Sequence, residues 1–149
     1  MRPTVAEQLA GTCLALERVV SPEIEGTPAA EVLRGLVKNL RMLETSWAAI
    51  LPFLHWDVAE TATLLGRARE AAPAPLGARI AEALDEAPVD PLDVVAVDVR
   101  SDGLRALLSE VVVAIDPTSP EHGAIAAHFD ERARRYPMRM VPDVPKAGG

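Results

Sequence analysis

The sequence predicts an all-α fold: a single-domain bundle of five or six helices over residues 1–136, followed by an extended proline-rich tail over 137–149. Three observations carry this expectation. Apolar residues recur at spacings of three and four along most of the chain, the period of one helix face. Cap-type residues such as Thr4, Thr27 and Ser119 stand just ahead of these runs. Prolines punctuate the gaps between them, and Pro137, Pro142 and Pro145 gather at the C-terminal end.

The first helix opens at Thr4, with Glu7 three residues on, the spacing of a capping box. Val5, Leu9, Cys13, Leu16 and Val20 supply its apolar face, and Ser21-Pro22 and Gly26 end it. A second helix starts with Thr27 as N-cap and Pro28 at the first position, where a missing amide costs nothing. Leu33, Leu36, Leu40, Leu43, Trp47, Ile50 and Leu54 form a heptad-like seam along it, suited to packing against another helix at a shallow angle. Pro52 removes the hydrogen bond to Ala48, so a kink or stop is expected near Leu51.

Asp57 and Glu60 read as a second capping box, opening a further helix through Val58, Leu65 and Ala68. After a break at Ala71 to Pro75, a short helix over Leu76 to Ala87 carries Leu76, Ile80 and Leu84 at steps of four. Asp90-Pro91 reads as N-cap and first turn of the next element. Its β-branched runs, Val94 to Val99 and Val111 to Val113, admit a hairpin turning at Ser101-Asp102-Gly103. Helix is preferred, because Leu92, Val95, Val99, Leu107, Val111 and Ile115 can share a face and a lone hairpin is marginal. Ser119-Pro120 begins a last helix through Ile125, Phe129 and Ala133.

Composition narrows the class. With 49% apolar and 25% charged residues the chain reads as globular, and 149 residues suffice for a core without metal or disulfide staples. No apolar run approaches the ~20 residues of a membrane span, and the N-terminus lacks the apolar stretch of a signal peptide. The lone Cys13 falls among apolar helix positions and reads as a small buried hydrophobe. A cytoplasmic location without membrane contact fits these features. The net charge of −7 argues against nucleic acid as a partner. Charge is uneven, however: from Glu82 to Asp102 the acids Glu82, Asp85, Glu86, Asp90, Asp93, Asp98 and Asp102 meet one base, Arg100, while Arg132, Arg134, Arg135 and Arg139 form a basic segment. Such runs are solvated faces or complementary docking surfaces.

Chemistry-bearing patterns are sparse, and no catalytic constellation emerges. The chain has three histidines, His55, His122 and His128, and none follows a glutamate by three as a carboxylate-bridged di-metal bundle needs. His122 and His128 lie six apart, off the i, i+4 spacing that chelates one ion. No metal and no cofactor is therefore expected. Cys13, Ser46 and Ser109 lie in no nucleophile elbow, and Gly103 and Gly123 are isolated from any phosphate loop. The most distinctive stretch is Trp47 to Trp56, which is uncharged and holds three of the five aromatic residues. Trp47, Phe53 and Trp56 read as core, as interface anchors, or as walls of an apolar pocket. His55 reads as a buried imidazole bonded to a backbone carbonyl or to Asp57, or as the polar group of such a pocket.

The segments Arg34 to Glu44 and His128 to Pro137 resemble a family of small uncharacterised bacterial helical proteins encoded beside aminoglycoside-phosphotransferase-like kinases and acyl-CoA dehydrogenases. The resemblance implies an accessory role in acyl-CoA or lipid-like metabolism and no catalytic residue. Together these readings point to a non-catalytic helical protein that acts by homodimerisation or through a protein partner. The alternative is a small enzyme or binder with a pocket at the Trp47–Trp56 corner and His55 inside it.

Overall fold

A computed structural model of the chain describes residues 2–138, and among them the fold is all-α, with no strand. The tail expected from 137 onward lies almost wholly outside the described residues. The helices are α1 (Val5–Ala15), α2 (Ser21–Glu23), α3 (Pro28–Ala68), α4 (Ala74–Asp85), α5 (Val94–Ala114) and α6 (Pro120–Arg135), with a π-helical stretch, Leu16–Val20, joining α1 to α2. None of the described helices is long and apolar enough to cross a membrane. Contacts divide the described residues into two compact units, one running to Ile50 and including Pro137 and Met138, the other Leu51–Tyr136.

In the first unit the capping box at Thr4 forms as its sequence requires. The Glu7 amide donates to Thr4 Oγ1 at 3.2 Å, and the Thr4 amide donates to Glu7 Oε2 at 2.7 Å. The widened turn at Leu16–Val20 comes just before Pro22, whose ring would clash with the Arg18 carbonyl in a regular helix. Gly26 takes φ +77°, a conformation that favours glycine, and turns the chain into α3. The Thr27 hydroxyl donates backward to the Ile24 carbonyl at 2.7 Å. Cys13 is buried against α3, its Sγ 4.0 Å from the Val37 carbonyl, and Arg41 reaches Glu17 at 2.9 Å. Burial pushes the Cys13 thiol above its ordinary value, against the opposing pull of Arg41.

The 41-residue α3 corrects two expectations. It does not stop at Pro52 but continues through it to Ala68. One lost hydrogen bond is tolerated because the residues beyond Pro52 are locked by packing: Phe53, Leu54, Leu64, Leu65 and Ala68 are all buried. Asp57 is therefore no N-cap. It lies inside the helix and is fully buried.

The second unit holds the main core, built from Leu64, Leu65 and Ala68 of α3, Leu76 and Ile80 of α4, Leu104, Leu108 and Val111 of α5, and Ile125 of α6. In the first turn of α4, a Cβ on Gly77 would stand 3.0 Å from the Arg69 carbonyl oxygen, so a side chain there needs its neighbour to give by a few tenths of an ångström. α5 is a helix rather than a hairpin. Its N-cap is Asp93, which accepts from the amides of Val95 and Ala96, while Asp90 accepts from Leu92 in the preceding turn. Its inward face is the expected one only toward the C-terminal end. Leu107, Val111 and Ile115 are buried as expected, and so are Val97, Ser101, Leu104 and Leu108, whereas Leu92, Val95 and Val99 point to solvent. Ser119 caps α6 by accepting from the His122 amide, with Pro120 in the first turn.

Four surface carboxylates give the fold an acid limit. Hydrogen bonds hold each below its ordinary value: Glu7 by the Thr4 amide, Glu110 by Arg79, Asp116 by the Thr118 amide and Glu131 by Arg135. Because these folded-state values are depressed, their contribution is complete above the ordinary carboxyl range and lost as pH falls through the lower folded values. The melting temperature is expected to be flat from about pH 7 to 5 and to drop progressively below about pH 4.5. A melting temperature that rises on acidification would contradict this.

Candidate functional site

The polar residues of the second unit converge at one level of α3, α5 and α6. In α3 the apolar seam continues past Leu54 as Asp57, Thr61, Leu64 and Ala68, at spacings of three and four, so the seam itself carries Asp57 and Thr61 inward. In α5 the same rhythm, Val97, Ser101, Leu104, Leu108, places Ser101 inward, and in α6 Ile125, His128 and Arg132 follow at three and four. Asp57, Thr61, Ser101 and His128 are all buried.

Their geometry is a closed network. Asp57 Oδ2 accepts from Ser101 Oγ at 2.9 Å and from Arg132 Nε at 3.1 Å. Thr61 Oγ1 lies 3.2 Å from His128 Nε2, which also stands 3.3 Å from Asp57 Oδ1. That second approach is a contact rather than a hydrogen bond, and Oδ1 has no hydrogen-bond partner among the described residues. Aromatic rings roof the network. Trp56 packs on His128 with centroids 5.4 Å apart, and Phe53 packs on Trp56 at 5.9 Å and edge-on to Tyr136 at 5.5 Å. The Arg132 guanidinium lies 5.4 Å from the Phe53 ring centre, and that of Arg135 lies 4.5 Å from the Trp56 ring centre.

This arrangement holds helices together; it is not set up for nucleophilic attack. Ser101 donates its proton directly to the carboxylate, and among the described residues no imidazole hydrogen-bonds its oxygen to activate it. The carboxylate is instead spent on Ser101 and Arg132, which ties α3 to α5 and α6. No cluster of three or more potential metal ligands occurs among the described residues.

The sequence-predicted site residues fall apart accordingly. Trp47 belongs to the first unit and is exposed. Phe53 is buried and Trp56 half-buried in the roof just described. His55 points outward, its Nε2 donating to the Pro91 carbonyl at 2.8 Å, so it anchors the turn ahead of α5. A shallow pocket of about 280 Å³ does exist at the corner, lined by Pro52, Phe53, Trp56 and Arg135, and His55 is not part of it. Asp57, Ser101 and Arg132 were missed as a group, although their positions in the three seams carried the signal.

No protein-family model, curated protein or solved structure matches this chain.

Proposed function

We propose that the protein is a non-catalytic helical module that acts by association, first of all with a second copy of itself through the N-terminal half of α3. The observation that carries this reading is an uncovered apolar stripe in the first unit: Val32 and Leu36 are exposed by 64% and 53%, Leu43 is half-buried, and Trp47 is exposed. These residues lie on one helix face and span ~22 Å at 1.5 Å per residue. The stripe is also complementary to itself. In an antiparallel two-fold pair, Val32 faces Trp47 of the second copy and Leu36 faces its Leu43, with Asn39 and Leu40 astride the axis. An exposed tryptophan flanked by aliphatic residues is the usual composition of an interface anchor.

The resemblance of Arg34 to Glu44 and of His128 to Pro137 supports the wider reading, an accessory role beside a metabolic enzyme of acyl-CoA chemistry.

Sedimentation velocity at micromolar concentration tests the self-association. The native chain is expected to sediment as a dimer, and Leu36→Asp to weaken it by about 2 kcal/mol or more, roughly 30-fold in Kd. Leu36 is solvent-facing in the chain, so its helical circular dichroism should persist. A native monomer across that concentration range overturns the proposal.

A further inference from the structure

The second unit carries a different exposed surface, formed where α4 and α5 pack together. A groove of about 460 Å³ runs between them, with Ala83, Val89, Ala96, Val99 and Gly103 in its lining. Beside it Leu92, Val95 and Val99 are exposed by 80%, 73% and 67%. Val95 and Val99 lie four apart in α5 on the side turned away from the core, and Leu92 is exposed in the turn just ahead of the helix. The helix thus presents apolar residues on two sides, and only one side is used within the chain. Isolated exposed aliphatics are ordinary, but a contiguous row along a groove marks a contact surface.

Two further observations identify the occupant. The rim is acidic: Glu82 and Glu86 line the groove, and Asp98 and Asp102 rise from α5. Glu86 pairs with Arg100 and Asp102 with Arg105, whereas Glu82, Asp85 and Asp98 make no ion pair among the described residues. Arg79 and Arg100, the basic residues of the lining, are already engaged by Glu110 and Glu86. The surface therefore offers uncompensated negative charge around an apolar strip. In addition, Gly103 sits in mid-helix on the groove, and a Cβ there would meet nothing within 4 Å. Nothing inside the chain requires a glycine at that point, while a helix laid into the groove would approach the backbone closely there.

We infer that the α4–α5 groove is the docking site of a basic amphipathic helix supplied by another protein. Its apolar face lies on Leu92, Val95 and Val99, and its lysines or arginines meet Glu82, Asp85 and Asp98, the helix-in-groove mode of recognition. This inference does not use the α3 stripe, so dimerisation and peptide binding are separate results.

The test uses the full-length protein and a fluorescent Leu/Lys peptide of about 18 residues, long enough to form a helix on binding, against a scrambled peptide of identical composition. The amphipathic peptide is expected to bind at least ~10-fold more tightly than the scrambled one, and the affinity to fall between ~0.05 and ~0.5 M salt. Val99→Asp adds an acidic charge, so simple electrostatic attraction predicts stronger binding; docking predicts a loss of ~10-fold or more. Val113→Asp, at an 86% exposed position near the far end of α5, should leave the affinity unchanged or slightly higher. Gly103→Ala should raise the melting temperature by improving helix propensity and yet weaken peptide binding, a pairing that damage to the fold does not produce. Equal binding of the two peptides, or binding indifferent to Val99→Asp, overturns the inference.

Discussion

Arg132→Met is expected to cost about 3–5 kcal/mol of the second unit's stability, among the largest effects of any single substitution in the chain. The reason is the carboxylate it would abandon. Asp57 is fully buried, and its Oδ2 depends on Arg132 Nε at 3.1 Å and Ser101 Oγ at 2.9 Å. Methionine retains much of the packing against Phe53 while withdrawing the positive charge, leaving the carboxylate with one hydroxyl donor. Asp57→Asn removes the charge and keeps the acceptor for Ser101, so it should cost less. Combined with Arg132→Met it should recover part of the loss, giving a coupling energy of about 1–3 kcal/mol in a double-mutant cycle. Urea unfolding of the four proteins measures this. An Arg132→Met variant within ~1 kcal/mol of the native chain would show that the buried pair contributes little.

The second large effect separates the two sides of α5. Leu108→Ala should destabilise the protein by about 3 kcal/mol, since Leu108 is fully enclosed in the main core and its truncation leaves a cavity. Val95→Ala should change stability by no more than ~0.5 kcal/mol, because Val95 lies on the solvent side. The helix face inferred from the sequence alone would assign a core role to Val95. Comparable losses for the two variants would restore that face.

The difference between those faces shows what the sequence made legible. Helix existence was readable wherever capping chemistry and period agreed, as at Thr4 with Glu7 and at Ser119 with Pro120. Helix orientation was readable only where one face was clearly more apolar than the other. In α5 valines occur on both sides, so hydrophobicity points two ways, and Ser101 reads in sequence only as part of a possible turn. At Asp57 local rules competed with tertiary ones. An aspartate five residues after a proline and three before a glutamate has the pattern of a helix start, but the seam through Leu54, Asp57, Thr61 and Leu64 prevails. A buried acid becomes readable only when its partners are known, and Ser101 and Arg132 lie 44 and 75 residues away. His55, by contrast, makes the expected bond to a backbone carbonyl, but from an exposed position rather than the expected buried one.

The two units differ greatly in how much each encloses. The main buried cluster belongs wholly to the second, while the buried residues of the first are few, among them Cys13, Val37 and Ser46. Pro52, just beyond the boundary in α3, interrupts the hydrogen-bond ladder through which helical order would otherwise propagate. Amide protons of the first unit are therefore expected to exchange through shallow local openings, and those of Leu104 or Leu108 only through deep ones. Each unit carries its own fluorophore, Trp47 in the first and Trp56 in the second, so emission from single-tryptophan variants is expected to resolve two melting events where a global probe would average them. A second copy seated on α3 would delay only the Trp47 event, and by an amount that grows with protein concentration.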